Sequence, residues 1–158
     1  MDTLRIVPIP ETLAENVRKT RRDGYGNIDI GPTRADSPRG YPCRVCLEDA
    51  QMGEELLLFS YSPFEHPAPY RNVGPIFVHA HSCTPYRREG VVPELMRGRL
   101  LALRSYDASD HMVECDLVEG AALESMVSRF FTNADAAYIH AHNARAGCFM
   151  CRIERAAP

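Results

Sequence analysis

Two pairs of strand-like segments, each joined by a short turn, restrict most strongly how this chain can fold. In the first pair, residues 99–106 (RLLALRSY) and 111–118 (HMVECDLV) flank the four-residue turn DASD. In the second pair, residues 137–142 (AYIHAH) and 148–154 (CFMCRIE) flank NARAG, in which Gly147 can adopt a positive φ. Extended segments joined this tightly form hairpins, so the pattern predicts a largely antiparallel β-sheet.

Helical patterns fall in blocks of their own rather than alternating with the strands. Residues 11–24 carry cations near their end and finish at Gly24, which suits a left-handed helix cap. Residues 120–133 place apolar side chains three and four positions apart, which makes one stripe. Further predictions are short strands at residues 4–7, 43–49, 54–61 and 76–81, and a short helix at residues 93–98. We therefore expect an α+β fold, with two or three helices packed on the sheet and residues 1–158 in a single domain.

Composition limits the classes of partner. The chain is 45% hydrophobic and 25% charged, which is ordinary for a globular protein. Its net charge of −3 lacks the positive excess that nucleic-acid binding requires, so we expect no nucleic-acid partner. No segment has the length of a membrane span and the first residues lack a secretory apolar run, so we expect no membrane association and a cytoplasmic location. In that reducing compartment, the six cysteines are expected to be thiols, metal ligands or catalytic groups.

Histidine and cysteine recur in two similar motifs, VHAHSC at residues 78–83 and IHAHNARAGC at residues 139–148. Alternate side chains of a strand share one face. The first motif therefore places His79, His81 and Cys83 on one face, opposite its apolar residues. The second places His140 and His142 together in the same way. The pattern predicts two polar faces that meet if the sheet brings them together.

The C-x-x-C motifs at residues 43–46 and 148–151 also suggest zinc, which such pairs often bind. Neither contains the glycine that favours a tight metal-binding turn, so both are predicted as strands whose two cysteines face opposite sides. Three cysteines are then expected to be buried apolar groups: Cys43, Cys115 and Cys151. The other three are expected on polar faces: Cys46, Cys83 and Cys148.

A pocket between these polar faces supports more than one function. As a transition-metal site, with zinc favoured, its candidate ligands are Cys46, His79, His81, Cys83, His140, His142 and Cys148. As a thiol-dependent enzyme with a small anionic substrate, its catalytic candidates are Cys148, Cys83 and His140. The candidates for binding such a ligand are Arg44, Asn143, Arg145 and Arg152. A non-catalytic ligand-binding or protein-interaction module is a third alternative, and simple solvated polarity is the plainest interpretation.

Residues 41–83 and 138–155 together resemble a family of small, mainly bacterial proteins, the domain of unknown function numbered twelve hundred and three. The resemblance covers most of the chain, and the proline-rich approach to GPIFVH is its most specific part. No activity is assigned to that family, so the resemblance implies none. It implies that the family keeps five of the positions named above: Cys46, His79, Cys83, Asn143 and Cys148. It also implies that His81, His142 and Cys151 are peculiar to this member.

Overall fold

The computed structural model describes residues 4–156 as an α+β fold, which confirms the predicted fold class. Its elements in chain order are β1 (Leu4–Val7), α1 (Glu11–Thr20), β2 (Pro32–Arg34), β3 (Glu55–Tyr61), β4 (Gly74–His79), α2 (Glu94–Arg97), β5 (Leu100–Tyr106), β6 (Met112–Glu119), α3 (Leu123–Phe130), β7 (Tyr138–Asn143) and β8 (Phe149–Arg155). The strands form a five-stranded and a three-stranded sheet, and their pairings are antiparallel. No helix within residues 4–156 combines the length and apolar character needed to cross a membrane.

The larger sheet has the strand order β1-β8-β7-β5-β6 and contains both predicted hairpins. Strand β5 pairs with β7, which joins the two hairpins in the middle of the sheet. One face carries the main core, where Leu103 and Ile139 from the strands pack in the same cluster as Val127 and Phe130 from α3. The apolar stripe predicted for residues 120–133 therefore faces the sheet.

The smaller sheet has the order β2-β3-β4, with β3 in the centre as its two-sided apolar sequence predicts. A second core lies between this sheet and α1, and it contains Val17, Leu57 and Val78. Phe149 at the start of β8 also belongs to that core, so it connects the two sheets. The prediction that α1 ends at Gly24 is wrong. Arg21 takes the left-handed cap at φ 56°, and its N–H donates to the Val17 carbonyl.

The strand predicted at residues 43–49 is absent, and the chain makes a tight turn from Cys43 to Cys46 instead. The turn closes with two backbone hydrogen bonds, from Leu47 N to Cys43 O and from Cys43 N to Glu48 O. Leu47 adopts a positive φ of 55°, the conformation that usually calls for glycine. This conformation costs a leucine about 1–2 kcal/mol. Burial of its side chain in the main core contributes about 1.5–3 kcal/mol, which offsets that cost.

Two further predictions about cysteines and histidines are corrected by the sheets. Cys115 is exposed, because it pairs with Arg104 on the sheet face opposite the main core. His140 and His142 do lie on the face opposite Ile139, but both are buried rather than solvated. The proline-rich segment after β3 covers this face: the ring of Phe64 lies 5.0 Å from that of His140, centroid to centroid. Cys151 is buried in the main core, as predicted.

Candidate metal centre

The turn at residues 43–46 brings both of its cysteines toward the end of β4. Cys46 Sγ lies 3.5 Å from His79 Nδ1, and Cys43 Sγ lies 3.7 Å from Cys83 Sγ. One ligand atom from each of these four residues lies within 4.8 Å of the others. Sulfur ligands at about 2.3 Å from a tetrahedral zinc ion are themselves about 3.7 Å apart. The four side chains therefore have the composition and spacing of a metal site.

Backbone contacts fix the turn against the smaller sheet. Cys43 forms an isolated parallel bridge with Phe77 of β4, and Arg44 N donates to the Phe77 carbonyl at 3.0 Å. His79 is the last residue of β4, and its N–H donates to Cys43 Sγ at 3.4 Å. Cys83 follows four residues later in an irregular segment. Cys43, Cys46 and His79 are buried, and Cys83 is partly exposed, which leaves a route for a metal ion.

Arg18 of α1 holds Cys83, the most exposed of the four side chains, in place. Its Nη2 donates to Cys83 Sγ at 3.4 Å, while its Nε donates to the His79 carbonyl at 2.9 Å. The Arg18 side chain is 7% exposed, and its Nη1 pairs with Glu15 Oε1 at 2.6 Å. Arg18 therefore fixes Cys83 and the end of β4 relative to each other.

Glu54 orients the imidazole of His79. Its Oε2 lies 3.3 Å from His79 Nε2, and a carboxylate in this position accepts the Nε2 proton. Nδ1 is then the nitrogen that faces Cys46, as in the carboxylate–histidine pairs that support metal ligands. The pKa of Glu54 is lowered, first by the N–H of Gln51 and then by His79 and His81.

The pKa values of Cys43, Cys46 and His79 are shifted because these side chains lie so close together. The pKa of Cys46 is raised above its usual range by its hydrogen bonds to Cys43 and Cys83 and by burial. The pKa of Cys43 is held far below its usual range, first by its hydrogen bond to Cys46 and then by those to Cys83 and His79. Hydrogen bonds to Cys43 and Cys83 raise the pKa of His79 to about 10. Three sulfurs this close cannot all ionise without a cation between them, and a bound metal would replace the shared protons.

The predicted ligands thus fall into separate places. Cys46, His79 and Cys83 meet in one cluster, and His81 stacks on His79 at 4.8 Å with its Nε2 3.7 Å from Glu54 Oε1. Glu54, His79 and His81 form a second, more exposed group that could hold a metal. His140, His142 and Cys148 belong to neither group within the described part of the chain.

The four residues predicted to bind a ligand do not converge. Arg44 is buried and donates to Cys148 Sγ at 3.3 Å. Asn143 caps the turn of the second hairpin by accepting the N–H of Arg145, whose side chain is exposed. Arg152 lies over the ring of Tyr138, with its guanidinium carbon 3.8 Å from the ring centroid.

Sequence reasoning missed Cys43 and Glu54. The spacing C-x-x-C was the signal for Cys43, but the absence of glycine in the turn led to the prediction of a strand. Leu47 supplies the positive φ for which this reasoning expected a glycine. Glu54 carried no signal, because it is 25 residues away from His79 in the chain.

Comparison with known proteins gives one result. Residues 40–155 match the family described as "Protein of unknown function (DUF1203)". The chain belongs to the DUF1203 family. The matched range includes all four residues of the Cys/His cluster and confirms the resemblance found from the sequence. No curated protein matches the chain, and no solved structure matches it.

Proposed function

We propose that this DUF1203 protein binds one zinc ion through Cys43, Cys46, His79 and Cys83, and that the ion stabilises the fold. The observation that carries the proposal is the placement of three sulfurs and one imidazole nitrogen within 4.8 Å of one another. A Cys₃His set is a common ligand set of structural zinc. Thiolates also select against the hard cations magnesium and calcium, which prefer oxygen.

A structural role follows from the number of ligands. Four protein ligands complete a tetrahedron, whereas catalytic zinc keeps one position open for water or substrate. Zn²⁺ with three thiolates would carry a net charge of about −1, and the guanidinium of Arg18, which also pairs with Glu15, lies next to Cys83. The ion would join the turn at residues 43–46, the end of β4 and the segment that follows, while Arg18 connects this centre to α1.

The direct test is the metal content of untagged protein purified without chelators. We expect one zinc per chain by elemental analysis, and little iron or copper. Cys83→Ser should lose the zinc, whereas Cys115→Ser should keep it, because Cys115 is exposed and lies outside both metal-ligand groups. A wild-type protein that is folded and free of metal would refute the proposal. Stoichiometric iron or copper would retain the site and refute zinc.

A further inference from the structure

A second site lies under the proline-rich segment, away from the metal ligands. It is a cavity of about 240 Å³ that lies between the two sheets, with Tyr61, Pro63 and Phe149 among its walls. Cys148 and His142 also line it, and none of the four proposed zinc ligands does. The cavity is smaller than the roughly 300–1,000 Å³ typical of sites for drug-sized ligands, so it fits only a small molecule.

The sulfur of Cys148 accepts a hydrogen bond from a buried cation. Arg44 is 1% exposed, and its Nη2 lies 3.3 Å from Cys148 Sγ. Its Nε and Nη1 donate to the carbonyls of Phe149 and Pro42 at 2.8 and 2.6 Å. Among the described residues, no carboxylate pairs with this guanidinium. Cys148 Sγ is therefore the side-chain acceptor in contact with this buried cation.

His142 provides an independent sign of a ligand. Its Nδ1 donates to the Gly147 carbonyl at 3.0 Å, so Nε2 carries the free lone pair. Nε2 is buried and has no hydrogen-bond partner within residues 4–156, and the side chain is 2% exposed. Burial lowers the pKa of His142 to about 4, so the imidazole is neutral at neutral pH. A buried acceptor of this kind is expected to have a partner, and His142 lines the cavity from which a small molecule can supply one.

We propose that Cys148 is a peroxide-reactive thiol and that this cavity admits hydrogen peroxide or a hydroperoxide of similar size. A peroxide O–H can donate to His142 Nε2, while Arg44 holds the Cys148 sulfur in place through its Nη2 hydrogen bond. The sulfur attacks the other peroxide oxygen, so an S–O bond forms and the O–O bond breaks. The thiol proton passes to the leaving oxygen, which becomes water. The sulfur is oxidised by two electrons to a sulfenic acid, and the peroxide is reduced by two.

The test compares two thiols in the same wild-type protein. Purified protein is treated with hydrogen peroxide in the presence of dimedone, which traps sulfenic acids, and each cysteine is followed by peptide mass spectrometry. Cys148 is expected to be labelled at least about tenfold faster than Cys115, although Cys115 is the more exposed. Labelling of Cys115 at an equal or higher rate would overturn the proposal, and so would labelling confined to the four proposed zinc ligands.

A variant separates the role of His142 from that of the thiol. His142→Leu removes the unpartnered nitrogen while keeping a side chain of similar size, and we expect the labelling of Cys148 to slow by about tenfold. Cys115→Ser is the matched control and should leave that rate unchanged. A folded His142→Leu protein with wild-type labelling of Cys148 would refute the part assigned to His142. The zinc content of the same samples reports separately on the proposed metal centre.

Discussion

Cys46→Ser is expected to lose the bound zinc and to lower the unfolding temperature by about 10 °C or more. Loss of a structural metal is among the few single changes that cost about 4 kcal/mol or more of stability. For a chain of this size, each kcal/mol corresponds to about 2–4 °C in Tm. Calorimetry or circular dichroism of the wild type and the variant measures the difference. A small effect would mean that packing alone holds the turn at residues 43–46.

A chelator distinguishes the loss of metal from the loss of a buried thiol. Adding a strong zinc chelator should lower the Tm of the wild type to near that of Cys46→Ser, and it should leave the variant unchanged. Cys115→Ser should behave as the wild type does in both conditions, because its side chain is exposed on the outer face of β6. If the chelator has no effect on a zinc-containing wild type, the ion does not stabilise the fold in the way proposed.

Acid is expected to destabilise the protein through His140 and His142. Burial is the main cause that lowers the pKa of His140 to about 3 and that of His142 to about 4, from 6.5; His142 contributes further for His140, and Arg104 for both. As the pH falls below about 6.5, the unfolded chain therefore binds protons that the folded chain does not. The contribution of the two neutral imidazoles to the free energy of unfolding is fully present above this pH and declines until about pH 3–4. Between about pH 7.5 and pH 5, each histidine should cost about 2 kcal/mol.

His140→Leu isolates this effect from the protonation of the proposed zinc ligands. Both nitrogens of His140 are buried without a partner in the part of the chain that the structure describes. Four aromatic rings surround it at centroid distances of 5.0–5.2 Å: Phe64, Tyr106, Tyr138 and Phe149. Leucine fits such surroundings and does not titrate, so the free energy of unfolding should fall about 2 kcal/mol less over this pH range than in the wild type. Urea titrations measure the free energy of unfolding of both proteins at each pH. Parallel pH profiles for the wild type and His140→Leu would contradict the prediction, because the folded chain would then protonate His140 as readily as the unfolded chain.

Hairpins and the apolar stripe of α3 were predictable because they depend on local patterns. The alternation in residues 99–118 and 137–154 fixes which strands pair, whatever covers them afterwards. The centre of the smaller sheet was also predictable, since β3 is apolar on both faces.

The metal cluster was only partly predictable, because strand parity fails where strands end. Parity placed Cys43 and Cys46 on opposite sides, but residues 43–46 form a turn in which both sulfurs face His79. Cys83 lies beyond β4, so its position depends on Arg18 rather than on alternation. The turn at residues 43–46 depends on Leu47, because burial of its side chain stabilises a positive φ that propensity alone would not assign to leucine.

The sequence predicted which way His140 and His142 point, but not that they are buried. His140 and His142 point away from the main core, as alternation requires. Whether such a face meets water depends on the loop that crosses it, and periodicity gives no information about the path of a loop. Contacts from Phe64 and Phe149 exclude water from His140, which turns an apparently solvated motif into a buried one.

The zinc K-edge X-ray absorption spectrum of the purified wild-type protein is the most direct test of the metal centre. Three sulfurs at about 2.3 Å and one nitrogen at about 2.0–2.1 Å in the first shell are the result expected for Cys43, Cys46, His79 and Cys83. The imidazole should also give outer-shell scattering that disappears in His79→Cys. A first shell dominated by oxygen and nitrogen would contradict the account, since it would place the ion outside this cluster.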